Sequence, residues 1–216
     1  MRTAAILTAS LIVCAALTGC QQQPQQAVRG ANGAVTCDYL VSGSPARPVD
    51  PPDGRNVPAT GTVTMTLDMT AGAVVVTMDR ATAPCAVNSI EALVRQQFFD
   101  ATTCHRLVDS GIFILQCGDP TATGRGGPGY TFADELTGKE TYPKGTVAMA
   151  NGGRNTNGSQ FFICWEDSPL PAKYTVLGTI DAASLDVIFG IAAQGVNPVD
   201  GSSPVGDATI RAVTLG

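Results

Sequence analysis

Two stretches carry residue types that could do chemistry. His105-Arg106 is followed by Phe113-Ile114-Leu115-Gln116-Cys117-Gly118-Asp119. Further on, Met149 to Cys164 starts apolar, runs through Asn151, Gly152, Asn155, Asn157, Ser159 and Gln160, and returns to Phe161-Phe162-Ile163. A core strand does not carry such a middle, because a buried amide without a partner costs about 1–3 kcal/mol. A plain surface loop has no need of two adjacent Phe. Several chemistries drop out at once. His105 is the single histidine, so no His-rich metal site can form, and no Cys-x-x-Cys pair is present for zinc or redox work. Ser159 lacks the flanking Gly-x-Ser-x-Gly of a hydrolase, and Gly124-Arg125-Gly126-Gly127 lacks the Lys-Ser/Thr ending of a phosphate loop. What remains is Arg106, a fixed fork of always-charged donors, among apolar and amide side chains.

Together the two stretches resemble the signature segments of the cyclophilins, the barrel-shaped peptidyl-prolyl isomerases. Met149–Ile163 is similar, almost letter for letter, to that family's Met-Ala-Asn-Ala-Gly-Pro-Asn-Thr-Asn-Gly-Ser-Gln-Phe-Phe-Ile. The resemblance implies a closed eight-stranded antiparallel β-barrel capped by two α-helices, and it implies roles residue by residue. Arg106 matches the catalytic Arg of a Phe-His-Arg segment in which Cys104 here replaces Phe. Phe113, Ile114 and Gln116 match Phe-Met-x-Gln, the first two lining a proline pocket and Gln binding peptide backbone. Gly124, Ala150, Asn151, Gly152, Gln160, Phe162 and Leu170 fall on further groove positions. Tyr174 stands where relatives have His, and Pro169 where cyclosporin-sensitive relatives have Trp.

The implied reaction suits these residues. Rotation about an X-Pro bond faces a barrier of about 18–20 kcal/mol from amide resonance. Lowering it needs no nucleophile, proton carrier or cofactor. A pocket for the proline ring and a donor near the prolyl nitrogen suffice, provided the donor binds the twisted amide better than the planar one.

The elements that must position these groups are also legible. Val63, Met65, Leu67 and Met69 alternate with polar residues, and Ala73 to Met78 is β-rich, so the domain opens with a hairpin turning at Thr70-Ala71-Gly72. Ala83-Pro84 starts a helix whose Val87, Ile90, Leu93 and Val94 share a face. Short strands follow at 104–108, 112–117, 146–150, 160–165, 174–180 and 209–215. Ser184 is expected to cap a second helix with a stripe of Leu185, Ile188, Phe189 and Ala192, stopping at Gly195. Many short strands with two helices suggest a closed antiparallel barrel.

Outside this domain, 61–216, lie two segments of different character. Arg2 followed by the apolar run Ala4–Leu17 reads as a signal peptide over 1–19, too short to span a bilayer. Leu17-Thr18-Gly19-Cys20 resembles the bacterial lipobox, which implies lipidation (palmitate-type) of Cys20 and an extracytoplasmic lipoprotein. Residues 20–60, rich in Gln, Pro and Gly, read as a tether with a small apolar island at Cys37–Val41. The net charge of -5 and the lack of a basic cluster argue against nucleic acid as a partner.

Five cysteines remain beyond signal and lipid. Cys164 reads as a buried apolar thiol, and Cys37, Cys85, Cys104 and Cys117 allow three pairings that sequence does not separate. Cys85–Cys104 is carried forward as the expectation. The reading is therefore a monomeric, membrane-tethered peptidyl-prolyl isomerase acting on proline-containing segments of exported chains, without metal or cofactor. The alternative is a proline-peptide-binding chaperone or scaffold module with little turnover.

Overall fold

The computed structural model describes residues 33–216. The signal segment 1–19, Cys20 and the first part of the tether, 21–32, lie outside the described residues.

Three two-residue strands come first, β1 (Ala34–Val35), β2 (Leu40–Val41) and β3 (Val57–Pro58). The hairpin β4 (Thr62–Met69) and β5 (Gly72–Asp79) forms as its alternation predicts, pairing Met69 with Gly72 at the turn. Helix α1 (Pro84–Arg95) begins on Pro84, where a missing N–H costs nothing, and buries Val87, Ile90, Leu93 and Val94. There follow β6 (Thr102–Thr103), β7 (Arg106–Ser110), β8 (Ile112–Cys117), β9 (Tyr130–Thr131), β10 (Thr146–Met149), β11 (Phe161–Cys164), β12 (Val176–Ile180), α2 (Ala182–Ala192) and β13 (Thr209–Leu215).

The main sheet is antiparallel, in the order β6-β13-β4-β5-β12-β10-β11-β8-β7. Its two ends, β6 and β7, are separated in the chain by Cys104 and His105 alone. A linker of that length forces the sheet to curl until its ends lie close together. The architecture is mainly β with two helices, as expected. The strand count of the main sheet is nine rather than eight, the two-residue β6 included, and the hydrogen-bonded order has two ends.

Strands β8, β10 and β11 explain how a groove can be floored. Successive side chains of a strand face opposite ways. Leu115, Cys117, Val147, Met149, Phe161 and Ile163 join the main core with the two helices. Their neighbours Ile114, Ala148, Phe162 and Cys164 form a second apolar cluster with Tyr142 on the other face. Burial on both sides is why β10 and β11 read as continuous apolar runs rather than alternating ones.

Four expectations change. The bridge Cys85–Cys104 does not form; the disulfides are Cys37–Cys85 and Cys104–Cys117, with Cys164 free and buried. Pairing follows tertiary proximity, which chain spacing does not encode. The tether does not extend to residue 60. Val35, Cys37, Val57 and Ala59 are buried, and Arg47 Nη1 donates to the carbonyls of Gln97, Phe98 and Asp100, so 33–60 straps onto the domain. Within the apolar island Cys37 docks, whereas Leu40 and Val41 stay exposed. Helix α2 is capped by Asp181, whose carboxylate accepts from Ser184 N–H; Ser184 is one turn in, and its hydroxyl accepts from Val75 N–H. Phe189 stands half exposed, and Ile191 takes its place in the buried stripe.

Candidate active site

A groove of about 860 Å³ opens over the second apolar cluster. Of the residues singled out in the sequence, Arg106, Ile114, Gln116, Gly124, Ala150, Asn151, Phe162, Leu170 and Tyr174 line it together. They come from β7, β8, β11 and the loops around them, a gathering that only the curled sheet produces.

Arg106 and Gln116 are partners in the β7–β8 ladder, so their side chains rise on the same face. Arg106 Nη1 donates to Gln116 Oε1 at 3.1 Å. Gln116 Nε2 donates to Gln160 Oε1 at 2.8 Å, and Gln160 Nε2 donates to the carbonyls of Gly124 and Gly126 at 3.0 and 2.9 Å. Among the described residues no carboxylate pairs with Arg106. The guanidinium is thus aimed by neutral amides and keeps its charge uncompensated.

The floor is apolar and aromatic. Phe162 and Tyr174 meet edge-to-face at 5.4 Å, and Tyr142 completes a trio with centroids 6.2 and 6.0 Å away. The Tyr142 hydroxyl donates to Tyr174 carbonyl and accepts from Tyr174 N–H, both at 2.9 Å, which fixes that ring. A floor of this kind accepts a pyrrolidine ring by area burial, without asking it for a hydrogen bond.

The amide-rich loop resolves the puzzle of its composition. Asn157 is fully buried, and its Nδ2 donates to Ala133 carbonyl and to Asp134 Oδ1. Asp134 Oδ2 also accepts from Asn155 N–H. These asparagines shape the loop. Asn151 lines the groove, but its side-chain Nδ2 is already engaged by Lys173 carbonyl at 2.9 Å. Its main-chain N–H and C=O have no partner among the described residues and are the groups left for an extended peptide. Gln160 and Gly152 do not line the main groove. Gln160 aims Gln116, and both border a second, smaller cavity next to it. Gly124 has φ +77°, a conformation that favours glycine, and an added Cβ would only touch the His105 ring at 3.7 Å.

Phe113 is not brought to the groove. It alternates with Ile112 and Ile114, so it turns the other way and packs edge-to-face on Trp165 at 5.0 Å. Ile112 lines the groove instead. The period of two, read along 112–116, was the available signal. Trp165 likewise lies outside the groove lining, half-buried against the main core, its Nε1 donating to Val108 carbonyl at 3.2 Å. Exposed Pro169 lies outside the lining, although its neighbour Leu170 belongs to it. The opposite wall, from Asp200 to Ala208, escapes sequence reading altogether; Leu107 N–H to Ser202 carbonyl at 2.7 Å holds it beside β7.

His105 is buried next to Gly124, and neither ring nitrogen has a hydrogen-bond partner among the described residues. Burial, more than any charge, pushes its ring below the usual histidine range and keeps it neutral beside Arg106. The Cys104–Cys117 disulfide brackets this corner, one cysteine just before His105 and the other just after Gln116. Among the described residues no group of His, Cys, Asp and Glu could hold a metal ion.

Comparison with known proteins agrees with this geometry. Residues 62–215 match the family described as cyclophilin type peptidyl-prolyl cis-trans isomerase/CLD. The chain is 42% identical over 200 residues to a probable peptidyl-prolyl cis-trans isomerase B of Mycobacterium leprae, covering 85% of this chain and 68% of that one. A Mycobacterium tuberculosis protein of the same name is 41% identical over 201 residues, covering 86% of this chain and 65% of its own. The chain thus spans about two thirds of the length of these relatives. A crystal structure of a cyclophilin type isomerase from Cryptosporidium parvum superposes with TM-score 0.64 at 26% identity, covering 72% of this chain and 98% of that one. The same protein in the presence of the dipeptide Ala-Pro gives 0.62, covering 71% and 98%. On a match of that extent, the chain belongs to the cyclophilin-type peptidyl-prolyl cis-trans isomerase family.

Proposed function

We propose that this protein catalyses cis-trans rotation about X-Pro bonds in exported polypeptides and so assists their folding outside the cytoplasm. In this reading it works as a monomer held to a membrane by a lipid on Cys20, and its curled sheet is the family's closed eight-stranded barrel with β6 added at the rim. The observation that carries the isomerase reading is Arg106 standing over an apolar floor, tied among the described residues only to Gln116 Oε1. The proline ring packs on Ile114, Phe162 and Leu170, while Asn151 main chain holds the peptide on one side. As the amide twists, the nitrogen lone pair leaves conjugation and becomes an acceptor, and Arg106 donates to it. That interaction is stronger in the twisted state than in the planar one and lowers the barrier. The use of proline peptides by relatives, one of them crystallised in the presence of Ala-Pro, supports the same choice of substrate.

Two disulfides in a domain of this size support export, since such bonds persist in oxidising compartments. The lipid reading rests on Leu17-Thr18-Gly19-Cys20. A cis/trans assay on short X-Pro peptides tests the proposal. Turnover well above the uncatalysed rate is expected; saturable binding without turnover would replace it with a proline-peptide-binding module.

A further inference from the structure

We infer that the wall across Arg106 from the proline floor, through Asp200 and Asp207, selects clients with a Lys or Arg side chain close to the proline; this rests on the isomerase reading above. The groove of about 860 Å³ is far larger than a pyrrolidine ring requires. Its backbone frame shows where the rest of it lies. Along one edge β7 pairs with β8, which with β11 carries the apolar floor. Along the other edge Leu107 N–H donates to Ser202 carbonyl at 2.7 Å, and Cys104 N–H to Ala208 carbonyl at 3.0 Å. Arg106 therefore stands between the proline floor and an arm of the groove lined by Thr103, His105, Asp200, Ser202, Ser203 and Asp207. An extended peptide advances about 3.3 Å per residue, so a side chain within about three residues of the proline enters this arm.

The charges of the lining set the sign of the preference. Arg106, Asp200 and Asp207 are its charged side chains beside the neutral His105, and none of the three is ion-paired among the described residues. In the isomerase reading the guanidinium is committed to the prolyl nitrogen, which leaves two carboxylates for the client. Both are held in place. Asp200 accepts from the Ser203 hydroxyl at 2.6 Å and from the Ser202 and Ser203 N–H groups at 2.8 and 2.9 Å. Asp207 accepts from Thr209 N–H at 2.9 Å. Bonds from Ser203 and from Thr209 hold the two carboxyls below the usual carboxylate range, so both are charged at neutral pH.

A second observation, independent of the carboxylates, points to the same ligand. His105 lines this arm and is nine-tenths buried, and neither ring nitrogen has a partner among the described residues. A neutral imidazole offers one lone pair and one N–H. The lone pair lacks a donor, and an ammonium or guanidinium is the strongest donor that a peptide side chain brings. Carboxylates and imidazole together favour a client Lys or Arg and disfavour Asp or Glu. Because Asp200 and Asp207 are exposed, the discrimination is modest, about three- to tenfold, and fades as salt rises.

The test uses matched X-Pro peptides carrying Lys, Glu or Ala at each of the three positions on either side of the proline, with both kcat/KM and Kd measured at low and high salt. A Lys-over-Glu preference of about three- to tenfold at one position is expected, smaller at high salt. Asp200→Asn and Asp207→Asn keep an acceptor for the Ser and Thr N–H groups and remove only the charge. Each should lower the preference, and the double variant should bring it near one. A ratio near one at every position in the unsubstituted protein overturns the inference. So does a preference that both single variants leave unmoved, which decides the matter even if the double variant fails to fold. Should no peptide be turned over, the isomerase reading fails, and the Kd ratios alone decide whether the acidic wall selects.

Discussion

Arg106 and Gln116 stand opposite each other on β7 and β8, and the guanidinium donates to the Gln116 amide oxygen at 3.1 Å. That bond starts a chain of neutral amides, through Gln160, that ends on the glycine loop at Gly124 and Gly126. A carboxylate in the place of Gln116 would hold the arginine equally well and would cancel the charge on which the proposed reaction depends. Neutral positioning keeps the fork aimed and its charge available.

Arg106→Ala should lower kcat and kcat/KM together, on the order of 100-fold, because the interaction exists only as the amide twists. Arg106→Lys should restore little, since a point charge does not reproduce the planar fork. The melting temperature should barely move, there being no ion pair to lose among the described residues. A destabilised but fully active Arg106→Ala protein would remove the residue from the mechanism.

The Cys104–Cys117 bridge closes a loop with a sequence separation of 13 beside this pair. Replacing both cysteines with Ala should destabilise by roughly 3 kcal/mol through a freer unfolded chain. That corresponds to a fall in melting temperature of about 6–12 °C. Turnover should fall as well, because Cys117 adjoins Gln116. Thiol titration of the denatured, unreduced protein without its signal segment should find Cys164 reactive and Cys37, Cys85, Cys104 and Cys117 not.

Glu135 makes stability depend on pH. Burial raises its carboxyl to about 7, although Cys85 and Ala86 N–H groups at the start of α1 donate to it at 2.9 Å and pull the other way. Between about 4.5, its unfolded value, and 7 the folded state binds more protons than the unfolded one. This contribution is fully present below the lower pH and is lost as pH rises through the upper. It amounts to at most about 3 kcal/mol. Denaturant unfolding from pH 4.5 to 8 should show the decline, and Glu135→Gln should flatten it.

Cys20→Ala should abolish incorporation of labelled fatty acid and release the protein from membranes, with isomerase activity intact. Membrane retention of that variant equal to wild type would discard the lipid anchor.

Pro169 offers neither the area nor the N–H donor of an indole. Cyclosporin inhibition should therefore be weak, and Pro169→Trp should strengthen it only if the exposed loop beside Leu170 turns the indole into the groove. Inhibition constants for both proteins decide this.

Periodicity and local chemistry determined much of this protein from the sequence by itself. Alternation at Val63–Met69, the proline at the start of α1 and the paired segments around Arg106 and Met149 each depend on neighbours a few residues away, and so survive being read in one dimension. The same period of two also set Phe113 apart from Ile114 and Gln116, though the family likeness suggested otherwise. Other features arise between segments far apart in the chain. Cys37 finds Cys85 because the strap crosses α1, and Cys104 finds Cys117 because β7 folds back on β8. Neither partner is written in spacing, since loop closure varies slowly with length. The strap itself looked like a linker by composition. It is ordered by bonds to Gly127, Gly129, Gln97 and Asp100, contacts that exist only once the sheet has curled and α1 has packed on it. The second groove wall at 200–208 and the free main chain of Asn151 belong to the same class. Tertiary structure alone decides them, because they depend on which polar groups other segments have already satisfied.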